Sequence, residues 1–258
     1  MERQILVMGG LGYLGFSIVL DLLENPENIV SVLENKSKIE SSQTLIKPLL
    51  GKVNFLYLNG EKFLEFSENE FVNWQPKEFD VVIIAVRNRT PYSNYVNSYG
   101  LQEVDMLLEQ FSSTVIAPLR VLQLLKLDQD SEKDRTIIQL ISSNSNYISH
   151  QSMTYHVINS ALESIFRFLS VNMQRKKIKV FLVEIGVILN SGSNKISQDK
   201  DNFIEDPKLI ELSDLVQFLI KTPGYGLVGT LIKLTGIRNL LDTTAVAEGV
   251  FGNLQVRK

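Results

Sequence analysis

The chain has 258 residues, 44% of them hydrophobic, which is enough to bury the core of one large α/β domain. A net charge of −3 and a pI near 5.6 argue against a nucleic-acid or anionic-membrane partner. With no cysteine and only His150 and His156, neither a disulfide framework nor a metal site is expected.

The chain enters its first apolar run directly. No basic stretch and long apolar segment precede it, so a cytoplasmic protein is expected. The apolar runs are too short to span a bilayer. Residues 4–8 (QILVM), 28–33 (NIVSVL), 53–58 (VNFLYL), 79–86 (FDVVIIAV), 136–142 (TIIQLIS) and 179–185 (KVFLVEI) predict strands. They are β-branched and nearly continuous in apolar character, as strands covered on both faces must be. Amphipathic stretches at 13–24, 101–126 and 155–174 alternate with them. The alternation predicts βαβ units and a parallel sheet flanked by helices, in a single Rossmann-type domain over residues 1–258. The polar stretch from 191 predicts a substrate flap over 191–212, and 237–258 reads as a C-terminal tail.

Two of the amphipathic stretches carry more apolar residues than one sheet face needs. Leu101, Val104, Leu108, Phe111, Val115, Leu119, Leu122 and Leu125 form one stripe; Ile158, Ala161, Leu162, Ile165, Phe168 and Leu169 form the other. Part of each packs on its own sheet, and the surplus predicts burial against a second subunit.

Between the first strand and the first helix stands GGLGYLG, with Gly9, Gly12 and Gly15 separated by Tyr13 and Leu14 in its second half. Gly9 permits a tight turn, Gly12 lets a pyrophosphate approach the backbone, and Gly15 lets the helix pack close to the strand. The helix end supplies N–H groups and a positive dipole for phosphates. Glu34 lies 19 positions beyond Gly15, where a carboxylate accepts hydrogen bonds from the adenosine ribose. It would repel a 2′-phosphate, which favours NAD over NADP, although Lys36 and Lys38 nearby weaken that preference. A merely solvated strand end is the structural alternative for Glu34.

With these residues the chain resembles the short-chain dehydrogenase/reductase family over nearly its whole length. GGLGYLG followed by LEN is similar to the longer, nucleotide-sugar-modifying branch, whereas the chain's size is similar to the shorter branch. LISSNSN (140–146) resembles the family's serine strand, YHVINSALESIFRFLS its tyrosine helix, VEIGVI (183–188) the turn after its sixth strand, and LVGTLIKLTG (227–236) its last strand. The resemblance implies proton transfer between Tyr155 and a substrate oxygen while hydride moves to or from nicotinamide. Ser143, with Ser142 as the neighbouring candidate, would position that oxygen. Two positions depart from the pattern: Asn159 stands at the lysine that binds ribose and lowers the tyrosine pKa, and Thr114 stands at the asparagine that holds a relay water. Without the cation, a phenol of pKa about 10 stays protonated and serves as an acid rather than a base. Asn159 would keep a hydrogen bond to the nicotinamide ribose. Pro118 has no N–H, so the carbonyl of Thr114 is expected to be free to hold a water.

Asn59 stands where an aspartate often contacts adenine. The resemblance implies that Ala85 and Arg87 end the fourth strand against the cofactor, Arg87, in place of a common glycine, either reaching a phosphate or substrate anion or crowding the nicotinamide side; Ile185 replaces a proline near the carboxamide. The resemblance implies an NAD-dependent oxidoreductase acting on a small molecule, possibilities including a sugar or nucleotide-sugar carbonyl, in a homodimer or homotetramer built through 101–126 and 155–174. Two alternatives stand beside it: a non-catalytic dinucleotide sensor or partner subunit, and a different reaction in the same cleft using His150, His156 or Arg87. His156 directly follows Tyr155, so it points about 100° away around the helix and reads as a packing or surface residue.

Overall fold

The structure, a computed structural model, describes residues 2–58, 71–72, 79–86, 104–126, 133–142, 153–185, 207–222 and 229–234. Its strands are β1 (Arg3–Met8), β2 (Asn28–Asn35), β3 (Val53–Leu58), β4 (Phe71–Val72), β5 (Val81–Ile84), β6 (Arg135–Ser142), β7 (Ile178–Ile185) and β8 (Leu231–Leu234). They form one sheet in the order β4-β3-β2-β1-β5-β6-β7-β8. All neighbours pair in parallel except the short β4, which is antiparallel to β3.

The helices are α1 (Tyr13–Leu22), α2 (Lys36–Ser41), α3 (Gln43–Ile46), α4 (Val104–Phe111), α5 (Ala117–Leu124), α6 (Met153–Met173) and α7 (Pro207–Lys221). One buried cluster joins Ile5, Val7, Val32, Ile83 and Val183 of the sheet to Ile18 and Val19 of α1 and Leu215 and Leu219 of α7. The opposite face joins Leu6, Val82, Ile137 and Val180 to Val115, Val121, Ile158, Leu162 and Phe166. The sheet is thus covered on both sides, which is why its strands read as continuous apolar runs. On α6 the buried face runs Thr154, Ile158, Leu162, Phe166 at four-residue steps.

The six predicted strands form, the third with the predicted ends (Val53–Leu58) and the other five with shifted ones. The fourth is shorter than its 79–86 apolar run: Asp80 turns its carboxylate back to accept the Gln4 N–H at 2.8 Å, a local closure at the strand entrance. The 101–126 stretch is not one uniform helix. Residues Ser112–Ile116 form a wide turn in which the Ala117 N–H donates to the carbonyl of Ser112, five residues back. Residues 207–212, expected in a flap, are the start of α7; 191–206 lie outside the described residues, as does the expected tail at 237–258.

The chain runs from β1 outward to β2 and β3, then crosses back to place β5 on the other side of β1. Beyond the carboxyl ends of β1 and β5 this reversal opens a crevice, the usual place for a ligand in such a sheet.

Candidate dinucleotide site

The glycine turn sits at that crevice. Gly9 has φ +78°, a conformation that side chains resist, and an added Cβ would come within 2.8 Å of the Ala85 carbonyl oxygen. The turn is held by the Gly9 N–H donating to Leu33 O at 3.0 Å and the Gly12 N–H donating to Gly9 O at 3.0 Å. Gly12 caps α1 in an extended conformation and has no side chain to occupy the helix end. At Gly15 a Cβ would overlap the Gly9 carbonyl oxygen, so the helix approaches the turn only because this residue has none. Tyr13 and Leu14 are partly buried against the core beneath.

Gly10, assigned no role in the sequence reading, is also constrained. A Cβ there would stand 2.9 Å from both methyls of Val32 and 3.2 Å from a methyl of Val19. The doubled glycine was the available signal.

Glu34, at the end of β2, reaches back across the crevice. Its Oε1 accepts the Leu11 N–H at 2.8 Å. Burial pushes its carboxyl above the usual range; the Leu11 N–H, the nearby Lys38 ammonium and the Asn35 N–H oppose that without reversing it. The bond to Leu11 ties the partly buried Glu34 side chain to the turn.

The other half of the site is built by β6, β7 and α6. Ser142 ends β6 in register with Ile185, which ends β7. Ile185 is buried in the core cluster on the α1 and α7 side. Tyr155 lies in the first turn of α6 and Asn159 one turn later, where its side chain is buried. Thr114 is buried at the centre of the wide turn, and that turn packs against α6. Pro118 cannot donate to the Thr114 carbonyl, as the sequence implies, and the widening begins two residues earlier than that argument requires. His156 is half-buried, and its Nδ1 has no hydrogen-bond partner.

Ser143, His150, Asn59 and Arg87 lie outside the described residues, as does the Tyr155 side chain. Among the described residues no group of three His, Asp or Glu side chains is placed to hold a metal, and no helix is long and apolar enough to cross a membrane. Glu184 of β7, a nearly inaccessible carboxylate next to Ile185, was not singled out by the sequence reading.

No family profile and no curated protein matches the chain in sequence. Solved structures do match. A short-chain dehydrogenase family protein from Francisella tularensis has a TM-score of 0.65 at 14% identity, covering 92% of this chain and 98% of its own. The Pseudomonas aeruginosa RhlG/NADP active-site complex has a TM-score of 0.65 at 18% identity, covering 91% and 95%. The promiscuous reductase LugOII, which catalyses a keto-reduction during lugdunomycin biosynthesis, has a TM-score of 0.68 at 16% identity, covering 91% and 96%. The chain has the fold of the short-chain dehydrogenases/reductases.

Proposed function

We propose that the protein is an NAD-dependent oxidoreductase of the short-chain dehydrogenase/reductase type, working chiefly as a carbonyl reductase. The observation that carries this reading is the 2.8 Å bond from the Leu11 N–H to Glu34. It holds a carboxylate at the glycine turn, at the place where the ribose of a dinucleotide would lie. The residues fit the group: the glycine turn has no Cβ to obstruct pyrophosphate, the α1 N-terminus favours its charge, and Glu34 accepts from ribose hydroxyls and repels a 2′-phosphate.

The dinucleotide supplies the hydride; the chain's own residues bind, orient and protonate. Ser143 orients the substrate oxygen and Tyr155 gives it a proton. Asn159 replaces a cation with a neutral amide, so Tyr155 remains protonated at neutral pH and favours reduction over oxidation. The Thr114 carbonyl holds a water on the main chain. Asn59, Ala85, Arg87 and Ile185 border the bound dinucleotide. The resemblance of GGLGYLG…LEN to the nucleotide-sugar branch points to a sugar or nucleotide-sugar carbonyl as substrate. The protein works in the cytoplasm as a homodimer or homotetramer, its α4 and α6 faces meeting their copies. Leu108, Phe168 and Val171 are each more than three-fifths exposed on those helices, which supports that pairing.

The test is NADH consumption against a panel of sugar, nucleotide-sugar and small ketone substrates. Turnover that disappears in Tyr155→Phe supports the reading. The buried, neutral Asn159 favours a second reading, a dinucleotide-binding sensor or partner subunit without chemistry. Tight NADH binding with no turnover of any carbonyl would decide for it.

A further inference from the structure

Glu184 stands one residue before the end of β7, and its side chain is only 4% exposed. It shares the face of the sheet that carries Val180 and Leu182, the face covered by α6. One carboxylate oxygen, Oε2, has no hydrogen-bond partner. The Lys233 ammonium on β8, in register with Glu184, is 3.9 Å from that oxygen, too far for a hydrogen bond and itself 38% exposed. From α6 two charged groups act on it. Arg167 is already committed to Glu163, its Nε 3.0 Å and its Nη2 2.9 Å from the same Glu163 oxygen. Glu163 adds a like charge.

A carboxylate that is buried, not hydrogen-bonded at one oxygen, and faced by another carboxylate is poorly satisfied as an anion. As an acid it gains a donor and loses the charge. Burial, the largest influence, and Glu163 both push Glu184 above the usual carboxylate range; Lys233 and Arg167 oppose this without reversing it. Tyr155, Asn159 and Glu163 follow one another at four-residue steps along α6, so the site turn and the Glu184 neighbourhood are consecutive turns of one helix.

We propose that Glu184 is a proton-holding positioning residue for the cleft, a buried carboxylic acid that replenishes the α6 tyrosine where a lysine relay is absent. The proposal rests on the oxidoreductase reading. When Tyr155 gives its proton to the substrate oxygen, the phenolate has no cation beside it and must be reprotonated promptly. The Glu184 O–H bond breaks and its proton passes, by way of the Asn159 turn and intervening water, to the Tyr155 oxygen. The Glu184 carboxylate then takes a proton from solvent past the partly exposed Glu163. One proton enters from water for each one delivered to the product.

Infrared difference spectroscopy of the full chain, in H₂O and D₂O, reads the acid directly. A protonated-carboxyl band is expected at neutral pH, absent in the isosteric Glu184→Gln. Its midpoint should rise in Lys233→Met, which removes the cation on β8, and fall in Asn159→Lys, which adds one on α6. In the NADH-linked assay, Glu184→Gln should lower kcat about tenfold with KM unchanged, less than the ~10²–10⁴-fold of a direct general acid because Glu184 acts through Tyr155. It should also flatten the pH profile. No band in the wild type, a band indifferent to Asn159→Lys, or a Glu184→Gln pH profile like the wild type overturns the proposal. A wild type that shows the band and its Asn159→Lys shift but turns over no carbonyl overturns the oxidoreductase reading, and with it only the delivery step.

Discussion

Replacing Glu34 by Gln separates the two jobs assigned to that side chain. The amide keeps an oxygen for the Leu11 N–H, now 2.8 Å from the carboxylate, so the turn should keep its shape. The charge is lost. A carboxylate and a 2′-phosphate competing for the same corner would be about 4–6 Å apart. Unit charges at that spacing repel by about 3–4 kcal/mol at a protein-surface dielectric, reduced by salt in an open, solvent-filled crevice to about 1–2 kcal/mol. The NADPH-to-NADH affinity ratio should therefore rise about 5- to 30-fold in Glu34→Gln. The pH dependence follows from the raised Glu34 carboxyl. Above its folded value the wild type carries the charge and the two proteins differ. As the pH falls through that value, the wild type should converge on the variant. Stability runs the same way: the contribution of a raised carboxyl is present below its unfolded range and lost as pH rises through the folded value. Glu34→Gln should thus melt no lower than the wild type at pH 8. Titrations of both dinucleotides at pH 8 and at decreasing pH check this. A wild type preferring NADPH at pH 8, or a variant with an unchanged ratio, would refute the role given to Glu34.

Gly15→Ala should abolish dinucleotide binding and lower the melting temperature, because its methyl collides with the Gly9 carbonyl; a variant that binds NADH as the wild type does would exclude the turn as the site. Asn159→Lys should speed any alcohol oxidation by about tenfold, about 1.4 kcal/mol, by drawing the tyrosine pKa down. If it only destabilises the protein, as measured by melting, the sensor reading gains. Phe168→Glu, at a site 68% exposed, should shift light scattering toward the 29.2 kDa monomer without unfolding; an unchanged mass would move the interface elsewhere. Phe166→Ala, one turn of α6 from Leu162 and fully buried, should cost about 3–5 kcal/mol in a denaturant titration; a loss under about 1 kcal/mol would contradict its place in the core.

The strands were legible because burial on both faces leaves an unmistakable apolar run, and the glycine turn because its spacing answers to sterics at Gly9 and Gly15. Other elements were not. Leu212, Leu215, Val216, Leu219 and Ile220 carry the helical spacing of α7, but the polar run before them drew the boundary of a flap too far. The short α2 and α3 have too few turns to produce a period. Pro118 announced an interruption near Thr114, yet where the helix widens depends on how 112–116 packs on α6, a tertiary fact. The spacing placed Glu34 at the ribose corner, while its bond to Leu11 depends on how closely β2 and the turn approach. Glu184 was hidden because a carboxylate ending an apolar strand reads as its solvated end; the edge strand β8 and α6 bury it.

The most direct measurement is a crystal structure of the protein with bound NADH. The account predicts pyrophosphate at the N-terminus of α1 over Gly12, adenosine ribose hydroxyls on Glu34, and nicotinamide at the carboxyl ends of β6 and β7 near Ser143 and Ile185. Density for the dinucleotide away from the glycine turn, or at the turn with the nicotinamide excluded from the Tyr155 side, would contradict it.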